Sequence, residues 1–262
     1  MTMRILITND DGITAPGLSV LNEVALKIAG PHGEVWTVAP HSEQSGVGHC
    51  ISYTKPVLVH EHGLNNYSIE GTPADCILAG LYDLMPIKPD LILSGINKGN
   101  NSAENTLYSG TIGAAIEGAL AGIPAIAWSK FYGPDNTNLK DTFEASRTNG
   151  AMAINACLKN GFKRAQDYAL FYNINFPPVP AAKVLGMKSV SQGYRGDGAF
   201  NAQARKAPNG RKFLFMQGQS QNVPTQAGTD AAANLAGFIS ITPMRADLTA
   251  HDQLANLAKV LV

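Results

Sequence analysis

The sequence predicts an α/β fold with a wound, parallel sheet. Short apolar runs alternate with segments of helical periodicity up to about residue 176. Several of these runs have no polar face, which is typical of strands that are covered on both sides of a parallel sheet. Most runs also end in polar residues, and open α/β sheets bind ligands beyond the carboxyl ends of their strands. We therefore predict a wound α/β core over residues 1–178 that binds its ligand at the carboxyl ends of the strands. A β-rich extension over residues 179–262 completes the same functional domain.

The first strand–helix–strand unit is the clearest. Ile5, Leu6 and Ile7 form an apolar run, and a helical repeat of apolar residues follows until Gly30-Pro31 ends it. Glycine and proline are common immediately after a helix. A second apolar run at residues 35–39 completes the unit, which requires the two strands to be parallel.

The remaining elements follow the same logic. Thr72, Pro73 and Asp75 have the residue types and spacing of a helix start, with an N-cap, an N1 proline and an acidic first turn. Further elements are predicted as an edge hairpin of strands 57–59 and 67–69, strands 90–97, 124–129 and 168–176, and a helix over 142–160. In the extension, strands 183–190, 211–216 and 238–243 and a terminal helix at 251–259 lack β-α alternation. We expect this part to pair with another subunit.

Two adjacent carboxylates mark the end of the first strand. Asp10 and Asp11 follow Thr8-Asn9 and precede Gly12. Such neighbours repel each other unless a cation or protons intervene, and oxygen-rich sites favour hard divalent ions such as Mg²⁺ or Mn²⁺. The alternative is purely local, because Asn-Asp-Asp-Gly is also a good turn sequence. The remainder of the chain has to decide between the two.

A polar, glycine-punctuated loop at residues 41–49 follows the second strand. If the first two strands are neighbours, the hydroxyl of Ser42 faces the same cation; solvent exposure is the alternative. His49 is either a general base or a structural cap, and one histidine does not decide between them.

A helix start at Ser109, Gly110 and Thr111 is a candidate phosphate site. Free backbone N–H groups and the helix dipole favour an anion at such a terminus. No Gly-Lys-Ser/Thr pattern follows, so a P-loop ATPase is disfavoured. Helix capping alone also explains Ser109, but the long asparagine-rich loop before it favours a site.

Bulk composition excludes several classes. The chain has 45% hydrophobic residues, and its 20 Lys and Arg balance 20 Asp and Glu. The hydrophobic fraction is typical of a globular protein. The neutral net charge argues against a nucleic-acid polymer or a membrane surface as partner. Three scattered cysteines and the absence of an apolar leader or a run of about 20 apolar residues lead us to expect a cytoplasmic protein.

Taken together, these motifs resemble the survival protein E (SurE) family, the stationary-phase survival nucleotidases. They occur in the family's order over nearly the whole chain. The matching segments are residues 7–12, 39–46, 71–76, 94–97, 108–111 and 240–243.

The resemblance implies a Rossmann-like, three-layer fold in which residues 1–178 form the metal- and nucleotide-binding core. It also implies that the β-rich C-terminal part exchanges segments in homodimers or homotetramers. It implies a metal-dependent nucleotidase that hydrolyses nucleoside 5′- and 3′-monophosphates and, in some members, polyphosphate. One Mg²⁺ or Mn²⁺ per subunit would be held by Asp10, Asp11, Ser42 and Asn97, and the two aspartates would be catalytic. Ser109, Gly110 and Thr111 would contact the substrate phosphate.

Other functions remain possible at this stage. A non-catalytic nucleotide-binding stress module would use the same pocket, and a nucleotide-sugar transferase would also pair aspartates with a metal. A haloacid-dehalogenase-type phosphatase is disfavoured, because Asn9-Asp10-Asp11-Gly12 lacks the Asp-x-Asp spacing. Attack by an aspartate and attack by water are both compatible with the motif.

Overall fold

The computed structural model describes residues 2–133, 135–163, 168–196 and 200–261. The strands are β1 Arg4–Thr8, β2 Glu34–Pro40, β3 Val59–Gly63, β4 Asn66–Ile69, β5 Leu91–Lys98, β6 Ala125–Lys130, β7 Phe171–Phe176, β8 Met187–Ser189, β9 Phe200–Lys206, β10 Lys212–Gly218 and β11 Ile239–Met244. The α-helices are α1 Pro16–Ala29, α2 Pro73–Ala79, α3 Gly110–Leu120, α4 Glu144–Asn160, α5 Asp230–Leu235 and α6 Leu254–Ala258.

One large, mostly parallel sheet organises the molecule. Its strand order is β3-β4-β2-β1-β5-β6-β7-β11-β8, and β9 and β10 form a separate hairpin. The six neighbouring strands β4, β2, β1, β5, β6 and β7 are mutually parallel. β3 and β11 run antiparallel to β4 and β7. The predicted α/β class is confirmed.

The two faces of the sheet are covered by different helices. Ile5 and Ile7 belong to a buried cluster that includes residues of α1 and α4. Leu6, between them, belongs to a second cluster that includes residues of α2 and α3. Because side chains alternate between the faces of a strand, one apolar run supplies both cores and gives three layers.

The predicted boundary at residue 178 falls inside this sheet. β11 pairs antiparallel with β7, and β8 pairs with β11, so strands on both sides of the boundary share one hydrogen-bonded sheet. The capped helix at Thr72 and the edge hairpin are found. β3 lies later in the chain than predicted, because its His60-Glu61-His62 segment carries no apolar pattern. β9 and α5 were not predicted. In the described ranges, no helix is long and apolar enough to cross a bilayer.

Helix α4 approaches the sheet very closely at Gly150. A Cβ atom built there would lie 1.9 Å from Cη2 of Trp128, a ring on β6 that is 1% exposed. Trp128 also stacks on Phe176 of β7, with centroids 5.4 Å apart. The absence of a side chain at residue 150 therefore sets how closely this layer packs.

Substituting Gly150→Ala should destabilise the protein, even though alanine is about 1 kcal/mol better than glycine in an exposed helix. The added methyl group overlaps a buried ring, and overpacking typically costs about 1–3 kcal/mol. Chemical denaturation measures the change in the free energy of unfolding. The control is Thr148→Ala at an exposed position of the same helix. A Gly150→Ala protein as stable as the Thr148→Ala protein would contradict this account of the packing.

Candidate metal and phosphate site

In the turn after β1, the residues that hold the turn differ from those that are available to bind a ligand. Asn9 makes the turn: its Nδ2 donates to the carbonyl of Gly12 at 2.8 Å, and the Gly12 amide donates to its Oδ1 at 3.2 Å. Gly12 has φ +98°, a conformation that favours glycine. The turn is therefore held by Asn9 and Gly12, so Asp10 and Asp11 are available for other contacts.

The carboxylate of Asp10 sits on the N-terminus of α3. Its Oδ1 accepts a hydrogen bond from the Thr111 hydroxyl at 2.7 Å, and its Oδ2 accepts from the Thr111 amide at 3.2 Å. The residue is only 3% exposed. Burial raises the pKa of Asp10 to about 6; the Thr111 hydroxyl opposes this rise, and the charge of Asp11 adds to it. Asp10 is thus a buried acid held by one residue of the helix tip.

Thr111 makes a contact that the sequence did not predict. Its backbone N–H and hydroxyl were expected to face a phosphate, and here both donate to Asp10, so a phosphate contact of Thr111 stays a prediction. The physical reason is that the positive end of α3 and its unpaired donors attract the carboxylate of the neighbouring strand before any ligand arrives. Gly110 permits the approach, since a Cβ there would lie 3.0 Å from Cβ of Asp10.

Ser109 both caps α3 and faces the cleft. Its Oγ accepts the amide of Ile112 at 3.1 Å, which is the predicted capping bond. The hydroxyl proton is not used in that bond, because the oxygen acts as the acceptor. Ser109 and Asp10 line the same cleft of about 160 Å³. Ser109 is therefore the member of the predicted phosphate loop whose hydroxyl can donate to an anion there.

The carboxylate of Asp11, which follows β1 in the chain, contacts the last residue of β5. Its Oδ2 accepts the backbone amide of Lys98 at 3.0 Å. Burial raises the pKa of Asp11, the Lys98 amide opposes the rise, and the charge of Glu43 adds to it. Asp11 lines a second cleft of about 580 Å³, and Lys98 lines both clefts. The two acids therefore flank the segment that ends β5.

Asn97 belongs to this segment. It is 9% exposed and lines the cleft of Asp10. Its Nδ2 donates to the carbonyl of Gly99 at 3.0 Å, which turns Oδ1 to the opposite side of the amide. The structure thus brings Asp10, Asp11 and Asn97 to one edge of the sheet, as expected for residues at the carboxyl ends of adjacent strands.

The loop at residues 41–49 crosses directly over the turn. The Gln44 amide donates to the carbonyl of Asp10 at 2.7 Å, and a Cβ at Gly12 would lie 3.3 Å from the carbonyl carbon of Ser42. The backbone of Ser42 therefore packs against the turn, while the residue remains exposed. Its role as a ligand stays a prediction.

His49 does not line the cleft of Asp10, although Ser109 lines both that cleft and the cavity of about 460 Å³ that contains His49. Its Nε2 is 2.7 Å from a carboxylate oxygen of Glu117 on α3. The contact ties the loop to α3, so the structural interpretation of this histidine fits better than the general base.

A buried asparagine scaffold supports the loop between β5 and α3. The Asn101 amide donates to Oδ1 of Asn175 at 2.8 Å, and its side chain donates to Oγ of Ser129 at 2.8 Å. Asn173 returns a hydrogen bond to the carbonyl of Asn101 at 2.9 Å. The sequence signal for this scaffold is the pair of asparagines inside the otherwise apolar strand β7.

Residues from the C-terminal part also hold this loop. Asp230, fully buried, accepts the backbone amides of Gly193 at 2.8 Å and Ala103 at 3.1 Å. The guanidinium of Arg195 donates to the carbonyl and the hydroxyl of Ser102 at 3.0 and 2.8 Å. These contacts leave no local pattern in the sequence, because Asp230 is 37 positions from Gly193 and 127 from Ala103, and Arg195 is 93 positions from Ser102.

Further side chains complete the cleft of Asp10. Within the described residues, no cluster of three or more His, Cys, Asp or Glu could hold a metal, so any cation here must also use neutral oxygens. The other lining residues are Ser45, Gly46, Gly99, Asn100, Asn101, Asn105, Tyr108, Phe200 and Gln221.

Comparison with known proteins identifies the relatives of this chain. A sequence model of the family described as survival protein SurE matches residues 5–198. A protein named 5′-nucleotidase SurE from Cereibacter sphaeroides is 58% identical over 260 residues, covering 99% of this chain and 100% of the relative. A protein of the same name from Jannaschia sp. is 61% identical over 258 residues, covering 97% and 98%.

A solved structure agrees with the fold. The crystal structure of the SurE protein from Aquifex aeolicus matches with a TM-score of 0.79 and 33% sequence identity. The match covers 99% of this chain and 100% of that one. The similarity therefore includes the strands and helices that follow residue 178.

Substituting Asp230→Asn should loosen the loop at residues 98–108. The new amide group would face backbone N–H donors, and an unsatisfied buried hydrogen-bonding group typically costs about 1–3 kcal/mol. Chemical denaturation measures the stability, and hydrogen exchange at the Ala103 amide measures the local effect. Asp252→Asn, at an exposed position, is the control. Unchanged protection of the Ala103 amide would show that Asp230 does not anchor the loop.

Proposed function

The chain belongs to the SurE family of survival proteins, and we propose that it is a divalent-metal-dependent nucleotidase that uses the cleft at Asp10. It hydrolyses the phosphomonoester of nucleoside 5′-monophosphates to nucleoside and phosphate. By the family resemblance we extend the proposal to 3′-monophosphates and polyphosphate. The observation that carries it is the carboxylate of Asp10 fixed on the tip of α3, beside Asp11 and Asn97.

The residues present fit a hard cation. Burial raises the pKa of both Asp10 and Asp11, so bringing a positive charge between them relieves an unfavourable desolvation. Each carboxylate oxygen that accepts a hydrogen bond keeps a second lone pair. Together with Oδ1 of Asn97 and the hydroxyl of Ser42, this is an all-oxygen donor set, which suits Mg²⁺ or Mn²⁺. We assign one such ion per subunit to these four residues.

When bound, the ion would neutralise phosphate charge and lower the pKa of a bound water. The protein residues perform the other tasks. Thr111 holds both oxygens of Asp10, so this ligand does not reorient when the substrate arrives. The Lys98 amide fixes Asp11 in the same way.

Ser109 binds the phosphate at the N-terminus of α3. The hydroxyl of Ser109 donates to a phosphate oxygen while its lone pair continues to cap Ile112. The helix dipole adds a favourable interaction with negative charge. Lys98, which lines both clefts, supplies a cation near the same place. Gly110 provides room for the approach of Asp10 and makes no side-chain contact of its own.

The non-catalytic alternative uses the same cleft but differs in outcome. A binding module would saturate with nucleotide and release no phosphate. A nucleotide-sugar transferase would require an acceptor and would leave AMP intact. Phosphate release from AMP therefore separates all three functions.

We also propose that the subunits assemble as a homodimer or homotetramer through the C-terminal part. β9 and β10 are exposed along their whole length, and an isolated two-stranded hairpin is at best marginally stable in water. One face of this hairpin carries the apolar side chains Phe200, Leu214 and Met216, together with two alanines. Covering this face with another subunit would stabilise the hairpin.

We place the activity in the cytoplasm. Cys50, Cys76 and Cys157 are free thiols, and two of them are buried. Free thiols are typical of proteins in a reducing compartment.

Substituting Asp10→Asn should lower kcat for AMP on the order of 100-fold or more, the scale found when one charge-stabilising group is removed from an active site. The amide keeps the shape but removes a charge from the cation site. Phosphate release is measured with Mg²⁺, with Mn²⁺ and after chelation, which should abolish it reversibly. The matched control is Asp83→Asn, an exposed aspartate. Normal turnover and Mg²⁺ binding by the Asp10→Asn protein would contradict the assignment.

A double substitution, Leu214→Lys with Met216→Lys, should reduce the mass of the assembly measured by light scattering, because two charges on the apolar face prevent its burial. Gln203→Lys with Gln217→Lys, on the opposite face of the same hairpin, should leave the mass unchanged. If both double variants keep the wild-type mass, the hairpin does not form the interface.

A further inference from the structure

The cleft that contains Asp10 has an aromatic side. Tyr108, which directly precedes Ser109, and Phe200, the first residue of β9, both line it. Their rings meet edge to face, with centroids 4.9 Å apart and an interplanar angle of 68°. Such a geometry is favourable for an aromatic pair and leaves ring faces available.

Both rings are only partly covered. Tyr108 is 44% exposed and Phe200 is 46% exposed, so a flat ligand could still bury apolar surface on them. The backbone beneath Tyr108 is fixed, since its carbonyl accepts the amide of Gly48 at 3.0 Å. The pair therefore offers a platform on a defined loop, beside the helix tip.

The same cleft contains a polar side chain that has no partner among the described residues. Asn100 is 1% exposed, and within the described part of the chain neither its Nδ2 nor its Oδ1 has a hydrogen-bond partner. Buried amides are normally satisfied, so an unsatisfied one in a cleft indicates a place where water or a polar ligand binds. A side chain with one donor and one acceptor group matches a sugar hydroxyl, which is also both.

We propose that Tyr108 and Phe200 bind the nucleobase of the substrate by stacking, so that this pair determines the preference for nucleotides over other phosphomonoesters. This inference rests on the proposed nucleotidase function. Tyr108 and Ser109 are consecutive residues that line the same cleft, so the aromatic platform lies next to the hydroxyl that we assign to phosphate binding. A single nucleotide can then contact both, with its sugar beside Asn100.

Stacking predicts a particular kind of specificity. Every base has a π face, so a stacking platform accepts different bases and discriminates mainly against ligands that have no base. We therefore expect broad use of nucleoside monophosphates and poor use of ribose 5-phosphate.

Phe200 has a second proposed role, in assembly, and the experiment has to distinguish it from base stacking. It lies on the same hairpin face as Leu214 and Met216, which we assign to assembly. Tyr108 is not part of the hairpin, so an effect of Tyr108 that matches the effect of Phe200 points to the cleft. Phe213, 51% exposed on the opposite face of the hairpin, provides the control.

The experiment compares kcat/KM for AMP with kcat/KM for ribose 5-phosphate in the wild type and in four variants: Tyr108→Ala, Phe200→Ala, Tyr108→Phe and Phe213→Ala. For each alanine variant in the cleft, the value for AMP should fall roughly 5- to 100-fold, mainly through KM, which is the scale of one lost base–aromatic stack. The value for ribose 5-phosphate should stay unchanged. Tyr108→Phe should retain the preference for AMP, and Phe213→Ala should behave as wild type.

An equal loss for both substrates, or no loss for AMP, would overturn the proposal. Thermal unfolding and light scattering on each variant identify changes in folding or assembly; in a variant that changes either, only the ratio between the two substrates is interpreted. If the wild type releases phosphate from neither compound, the nucleotidase proposal fails. The same variants are then compared by equilibrium binding of AMP and ribose 5-phosphate, where loss of the preference for AMP supports the platform and an unchanged preference rejects it.

Discussion

The contact between Asp10 and the tip of α3 is the interaction on which the rest of the site depends. A buried carboxylate is costly unless donors compensate it, and here the amide and hydroxyl of Thr111 do so. The partners are 101 positions apart, so the bond joins the first strand to a helix from the middle of the chain. It also fixes the orientation of a proposed metal ligand, which means that folding prepares the site before any ion binds.

The loop before α3 is the second constraint, and it is held from two sides. Asparagines of β7 bind it from the sheet through Asn101, while Asp230 and Arg195 bind it from the C-terminal part. Asp230 lies outside residues 5–198, the segment that the family model matches. The C-terminal part therefore shapes the wall of the cleft, in addition to the role in assembly that we propose for it.

The hairpin of β9 and β10 begins at the cleft and extends over the exposed surface of the subunit. Phe200 at its base lines the cleft, whereas the rest of the hairpin is exposed. If another subunit covers the hairpin, it also orders Phe200, because a paired and packed strand restricts its side chains. Assembly and substrate preference would then depend on the same short element. This would explain why an otherwise exposed hairpin begins with an aromatic residue beside the proposed metal site.

The sequence alone determined the α/β class, the strand ends that carry Asp10, Asp11 and Asn97, and the capped helix starts at Thr72 and Ser109. These features depend on periodicity and on residues within four positions of each other, so local pattern is sufficient. Only the tertiary structure decided that Thr111 serves Asp10, that His49 pairs with Glu117, and that Asp230 holds the loop at Ala103. It likewise decided that β8 and β11 join the main sheet. In each case several donors or acceptors of equal chemistry were available along the chain, and the choice among them was made by which segments the folded sheet brings into contact.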